Sequence, residues 1–418
     1  MNDDKHGSAA GSSGGLSRRR LLGITGAAGL VAVGGAGATA LANSGGTKAL
    51  QNSMTGASGS ARVTAPPPNG VLGANFNGDP KSTNFAQLQD VKATWLRGFF
   101  PMPEVKQGDP AEHPNIRTLL QAGEKGYGTV LSLKFPFTKK PIPTPGSPEM
   151  RTEIQRLDKV LPKVLGKVDI LAIGNEPFIE SRKQDQDDRI NAFYEQIARH
   201  VIDARARAGA KTQLYMGALN HLDLPEWRTP ATERWMEFVK QTPELSGVDI
   251  HPHLPERGAD QQYLDYVLPK MRPDQKFLAT EFSLVLLWRK HLKDAVAPEF
   301  ADRHHVQRGT PVWKVLKQAI ENPFTQRKWD DFLSANSWFA DNADYMREQM
   351  GKFRKTGRLA VATYGVGQDE AMVSDFGPKS TPWLLNSLFC PQTVQRGDDG
   401  LPGRNRTWTD SFRELQSG

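Results

Sequence analysis

The chain has 418 residues, 38% of them apolar and 24% charged, a composition that excludes collagen-like, intrinsically disordered and multi-span membrane classes. Its formal net charge is +7, of which residues 1–42 supply +2 through Lys5 and Arg18, Arg19 and Arg20 against Asp3 and Asp4. The remaining excess is scattered and never forms a Lys/Arg run interleaved with aromatics, which argues against a nucleic-acid partner.

The first segment, residues 1–42, runs Ser17-Arg18-Arg19-Arg20-Leu21-Leu22, then a Gly/Ala-rich apolar stretch from Gly23 to Ala38, then Ala40-Leu41-Ala42. A basic start, a short apolar run and a small-x-small end resemble a twin-arginine export signal. The expectation is a secreted or periplasmic protein with no stable membrane insertion once the signal is cleaved. An exported chain meets an oxidising compartment, yet Cys390 is the single cysteine and excludes an intramolecular disulfide, so a hydrophobic core must carry stability. Residues 43–69 are rich in Ser, Gly and Ala and end near Pro66-Pro67-Pro68, which reads as a disordered linker. Residues 70–418 are expected to form one catalytic domain.

From there short β-prone apolar runs alternate with amphipathic stretches. The expected strands are Val71 to Phe76, Trp95 to Phe99, Gly128 to Lys134, Asp169 to Gly174, Gln213 to Ala218, Gly247 to His251, Lys276 to Glu281 and Arg358 to Tyr364. Helices are expected over Arg151 to Leu165, Asp187 to Ala208 and Ala231 to Gln241. Eight strand–helix units imply the α/β class and a (β/α)8 TIM barrel whose strand ends gather at one mouth. The stretch from about 288 to 357 is too long for one helix, holds helix-like runs at Val312 to Glu321 and Trp338 to Phe353, and reads as an insertion placed to shape a substrate cleft. The tail beyond Gly365 is expected to wrap the barrel.

Two carboxylates end apolar runs that belong to opposite strands of such a barrel. Glu176 lies in Ile173-Gly174-Asn175-Glu176-Pro177 after the fourth run, and Glu281 in Ala279-Thr280-Glu281-Phe282 at the seventh. Double-displacement glycoside hydrolysis needs this pair: one carboxylate to attack the anomeric carbon and one to shuttle a proton, with the two groups about 5 to 5.5 Å apart and in different electrostatic environments. The two motifs, placed on those strands, resemble the retaining β-glycoside hydrolases of clan A, and the likeness covers Val71 to Tyr364. The resemblance implies Glu176 as acid/base, Glu281 as nucleophile, Asn175 on a sugar 2-hydroxyl and Arg97, at the end of the second strand, beside the nucleophile.

In Val248-Asp249-Ile250-His251-Pro252-His253 a period of two puts Asp249, His251 and His253 on one face. The clan often carries Tyr where this chain has His253, so the hydroxyl partner of the nucleophile is left to Tyr364 or Tyr215. Lys134 ends the third strand, where it would pair with a mouth carboxylate or an acidic sugar. Asn220 and His221 bring polar groups to the fifth. Among nine tryptophans, Trp288 is the expected sugar-stacking residue, with Phe99, Phe135 and Phe137 behind it.

The partner is expected to be a poly- or oligosaccharide bound by a monomer that needs no cofactor and no metal. Two alternatives remain at this stage: a metal-dependent hydrolase built on Asp249, His251 and His253, and a carbohydrate-binding barrel without catalysis.

Overall fold

The computed structural model describes residues 64–77, 80, 83–105 and 108–416; the expected export signal and most of the expected linker lie outside them. Eight strands, β1 (Val71–Phe76), β2 (Trp95–Pro101), β3 (Gly128–Lys134), β4 (Ile170–Ile173), β5 (Gln213–Asn220), β6 (Leu245–His251), β7 (Lys276–Ala279) and β8 (Leu359–Gly367), follow one another around a closed barrel. Every pairing is parallel, and β8 closes on β1. Covered by helices outside and by side chains inside, such strands are buried on both faces, which is why they read as nearly unbroken apolar runs. The fold is a (β/α)8 barrel.

Alternation along the strands builds the interior. Val71, Trp95, Val130, Ile170, Tyr215, Leu278 and Val361 pack into one buried cluster inside the barrel. Two residues further on, the same inward series reaches Arg97, Ser132 and Thr363, and Asn75 follows two steps beyond Gly73. An apolar plug therefore passes directly into a polar layer facing the mouth. Tyr215 belongs to the plug, with its hydroxyl 3.4 Å from Gln213 Oε1, and supplies no hydroxyl to the site.

Outside, the helices begin where local chemistry dictates. Ser147 accepts from the backbone of Met150 at the start of Pro148–Val164, Asp187 caps Asp188–Arg207, and Thr229 caps Pro230–Gln241, the first and third with proline in the first turn. The expected helix from Trp338 to Phe353 is instead two, Ser337–Ala340 and Tyr345–Lys355. The break falls at Asp341-Asn342-Ala343-Asp344, where the Asn342 amide donates back to the Trp338 carbonyl; such short polar side chains compete with helical backbone bonds.

The insertion packs against the tail. Phe324 bridges to Val394, and the Gln326 amide bonds the Arg404 backbone in both directions. The final helix, Arg406–Gln416, lies on β1 and on Tyr345–Lys355, with Trp408 fully buried and its indole N–H donating to the Leu385 carbonyl at 2.8 Å. Among the described residues no helix is long and apolar enough to cross a membrane.

Candidate active site

The residues at the mouth are delivered by strand ends and by the turns just after them. β4 stops at Ile173, and Gly174 adopts φ of 103°, a left-handed conformation that redirects the chain so that Asn175 and Glu176 face the barrel axis. Past Pro177 the chain closes a helical turn, with the Ile179 and Glu180 amides donating to the Glu176 carbonyl. That turn returns the Glu180 side chain to Asn175, whose amide donates to Glu180 Oε1 at 2.8 Å. Opposite, β7 stops at Ala279 and Glu281 lies just beyond it.

Arg97 organises the centre. It is fully buried, and its guanidinium donates to Glu281 Oε1 at 2.7 Å, to Asn75 Oδ1 at 3.1 Å, to Ser132 Oγ at 3.2 Å and to Asn175 Oδ1. The planar fork thus ties the nucleophile candidate to β1, β3 and the turn after β4. Asn175 spends its carbonyl on Arg97 and one amide hydrogen on Glu180, which leaves one N–H for a ligand. Lys134 forms an ion pair with Glu180 at 3.0 Å and lies over the Phe99 ring at 4.9 Å, so of its two expected roles it takes the mouth carboxylate. Burial works against the Lys134 charge, but Glu180, Glu176 and Glu281 outweigh it and hold its pKa above the ordinary lysine range.

Glu176 and Glu281 face each other across His251. Glu176 Oε1 accepts from the Asn220 amide at 2.7 Å and lies 3.1 Å from His251 Nδ1; Glu281 Oε1 is 4.0 Å from the same nitrogen. One ligating atom from each of Glu176, His251, His253 and Glu281 falls within 4.8 Å of the others, so the two carboxylates are near neighbours. Their side chains are 20% and 16% exposed, enough for a substrate atom to reach both.

A short chain of bonds fixes the histidine. Thr280 donates its hydroxyl and its backbone N–H to the buried Asp249 carboxylate, which leaves Thr280 Oγ as acceptor for His251 Nε2–H at 2.8 Å. Nδ1 therefore meets Glu176 with or without the second proton. Burial opposes a charge on His251, yet Glu281, Asp249 and Glu176 prevail and push its pKa up to about 10. Burial likewise raises both glutamates, and in each case it loses: the His251 charge and Arg97 take Glu281 well below the usual carboxylate range, while the His251 hydrogen bond and charge take Glu176 down against the opposing charge of Glu281. Glu281 is thereby bare, and the proton between Glu176 and His251 rests on the histidine.

His253 occupies the other flank of Glu281, with Nε2 3.6 Å from Oε2, Nδ1 2.8 Å from Ser283 Oγ and its ring edge-on to Trp383 at 4.9 Å. Beside it Asn75, Asn77, Thr363, Trp383 and Asn386 line a polar notch against Glu281 with room for about one water molecule. No residue of 288–357 lines this notch, so the insertion braces the tail and does not wall the pocket at Glu281.

Two expected site residues are elsewhere. Trp288 is fully buried among Trp338 and Phe339, part of the core that the insertion builds with the helix Val285–Lys290, and cannot stack on a sugar. Tyr364 points away from the axis, packs on Phe282 and Trp408 and gives its hydroxyl to Asn386 Oδ1 at 2.6 Å. Phe135 and Phe137 are buried against Phe193. The Asp249–His251–His253 triad of the alternative metal-dependent reading is not assembled, because Asp249 lies at His251 Nε2, 3.5 Å away, on the far side of the ring from Glu176. The four mouth groups are metal-ligand types, but Arg97 and the charged His251 already neutralise the two carboxylates.

Asn75, Glu180, Thr280, Trp383 and Asn386 complete the site and were not among the expected residues. Asn75 was within reach of the inward series that begins at Val71, and Glu180 is one turn past the Asn-Glu-Pro tripeptide. Trp383 and Asn386 arrive from the tail, and nothing local in the sequence marks them.

No protein-family model and no curated protein matches the chain. Solved structures do. One is a family 39 glycoside hydrolase from the gut symbiont Bacteroides cellulosilyticus WH2, 11% identical, with 84% of this chain and 64% of that one covered at a TM-score of 0.46. Another is Saccharomyces cerevisiae Gas2p in complex with laminaritetraose and laminaripentaose, 10% identical, covering 82% and 62% at 0.46. A third is the Ignisphaera aggregans GH53 catalytic domain, 12% identical, covering 84% and 98% at 0.44. The chain spans just under two thirds of the length of the first two.

Proposed function

We propose that this protein is a glycoside hydrolase that cleaves β-glycosidic bonds of a poly- or oligosaccharide with retention, Glu281 attacking the anomeric carbon and Glu176 protonating the leaving oxygen. The observation that carries this is the pair itself: two partly exposed carboxylates held within 4.8 Å of each other at one barrel mouth, one bonded to a buried arginine and one hydrogen-bonded to a buried histidine. A separation this short suits direct attack and leaves no space for the water that an inverting enzyme holds between its carboxylates. The choice of β-linked substrates rests on the resemblance of the Asn-Glu-Pro turn and the strand-seven glutamate to clan A.

In the first half-reaction Glu281 forms a bond to the anomeric carbon as the bond to the leaving oxygen breaks, and Glu176 relays to that oxygen the proton held on His251 Nδ1, leaving the histidine neutral. In the second, Glu176 takes a proton from water as the water displaces Glu281. The free N–H of Asn175 and the notch beside Glu281 are placed to hold hydroxyls of the sugar being transferred. Trp383, edge-on to His253, presents the aromatic surface expected of Trp288. We propose further that the enzyme is exported through its twin-arginine segment and acts as a monomer.

Glu281→Ala and Glu176→Ala are each expected to abolish turnover in a screen of plant, fungal and bacterial β-glycans. Azide should rescue the first as a glycosyl azide of inverted configuration and the second as one of retained configuration. Full activity in either variant, or a rescue product of the opposite configuration, refutes the assignment.

A further inference from the structure

We propose that the loop following β5, residues 221–227, is the platform for the leaving-group sugar, an inference that rests on the glycosidase reading. A group that protonates the leaving oxygen must touch the leaving side of the bond, so the surface flanking Glu176 and away from Glu281 is where that sugar lies. The notch at Glu281 is walled by β1, β8 and the tail. The flank of Glu176 belongs to β5, whose last residue, Asn220, donates to Glu176 Oε1 at 2.7 Å.

The next residue, His221, has φ of 54°, a left-handed conformation unusual for a residue with a side chain, and its half-buried ring meets half-buried Trp227 at 4.6 Å. Leu224, between them, is one of two exposed large apolar side chains among the described residues. An imidazole, an indole and an isobutyl group on one short loop offer faces for the C–H surface of a sugar ring. Burial and the nearby His253 hold the His221 pKa down to about 4, so the ring is neutral and offers one donor and one acceptor.

The platform is preformed. Arg228 closes the loop by donating twice to the Leu222 carbonyl, at 2.9 and 2.6 Å; the Leu224 amide returns to the His221 carbonyl at 2.9 Å, the Trp227 amide to the Leu224 carbonyl at 3.0 Å, and Thr232 holds the Trp227 carbonyl at 3.2 Å. Apolar groups presented on a rigid loop bind without a large ordering cost.

The test compares two substrates of the sugar that the glycan screen identifies: its β-glycosyl fluoride, whose leaving group is one atom, and its β-linked trisaccharide, whose leaving group is a sugar. In Trp227→Ala, and separately in the surface change Leu224→Ser, the ratio of kcat/KM on trisaccharide to that on fluoride should fall, about tenfold for the tryptophan and several-fold for the leucine. Thermal melts of both variants check that the fold persists, and the leucine variant serves if the tryptophan one unfolds. A ratio that does not move in either folded variant overturns the platform. A wild-type protein inert toward every glycan of the screen instead overturns the glycosidase reading itself.

Discussion

Arg97 and His251 divide the labour of the two glutamates, and each makes a separate prediction. Removing the positive charge in Arg97→Gln leaves a mostly buried carboxylate without its fully buried partner, a loss of up to about 3–5 kcal/mol for pairs of this kind. The depressed Glu281 pKa means that its ionised form contributes to stability and turnover above the ordinary carboxylate value and is lost only as pH falls through the depressed one. In the variant that loss should come at higher pH: the acid limb of kcat/KM moves up and kcat at neutral pH drops about 100-fold. A profile with an unmoved acid limb would show that Arg97 does not set the charge of Glu281. His251 works with the opposite sign. Its raised pKa makes the charged form stabilising below the unfolded value near 6.5, and that contribution disappears as pH rises through about 10. With His251→Gln the proton for the leaving oxygen has only the Glu176 carboxyl to sit on, so the alkaline limb of kcat/KM should descend from the histidine's value of about 10 toward the carboxylate range, by about two pH units or more. If the limb stays in place, His251 is not the source of the proton.

At the scale of elements, the strands were legible because parallel strands buried on both faces carry their own signal, and β1 and β3 begin and end at the expected residues. Glu176 and Glu281 could be singled out because short turn signals follow apolar runs. What could not be read was how those runs stop. β7 was expected to reach Glu281 but ends at Ala279, since Thr280 turns its hydroxyl and amide onto Asp249 in the neighbouring β6, a partner fixed only once the barrel closes. β4 ends before Gly174 because a left-handed residue leaves the ladder, and the same glycine gives Glu176 its direction. A side chain at Gly174 would sit 2.8 Å from Pro177 Cγ and 2.9 Å from Tyr194 Cε1, on a backbone that disfavours any residue with a Cβ. Gly174→Ala should therefore cost about 1–3 kcal/mol in chemical denaturation and at least 10-fold in kcat/KM as the Asn-Glu pair is re-aimed. Gly217 on β5 has backbone atoms of Gly174 2.6 Å from where its Cβ would be, so Gly217→Ala should act through the same turn, and the double variant should lose less activity than the product of the two single losses.

The whole molecule joins the site to the far end of the chain, and this is the part that no local pattern announced. Asn75 and Asn77 near the start bond in series to Gln368, whose amide reaches the Asn386 carbonyl, while Asn386 receives the Tyr364 hydroxyl. Tyr364 was thus half right as a mouth residue: its hydroxyl serves the site by holding Asn386, not by touching Glu281. Trp288 failed as a sugar platform for a reason of packing. The insertion needs a core of its own, and the nearest large apolar side chain on the segment leaving β7 was recruited to it, buried against Trp338 and Phe339. The aromatic at the pocket came from 95 positions further along, on a tail held by Trp408 through the Leu385 carbonyl and by Gln416 through the Leu72 carbonyl of β1. Trp408 touches no group at the mouth, yet its loss should be felt there. Trp408→Ala opens a cavity beneath the segment bearing Trp383 and Asn386 and should destabilise the fold by about 3–5 kcal/mol. Measured well below the melting temperature, where the variant is folded, KM should still rise several-fold while kcat for the glycosyl fluoride falls less, because the wall beside Glu281 loosens and the carboxylate pair, anchored by Arg97 and His251, does not. Equal losses in both constants would instead place the tail's influence on the chemistry itself.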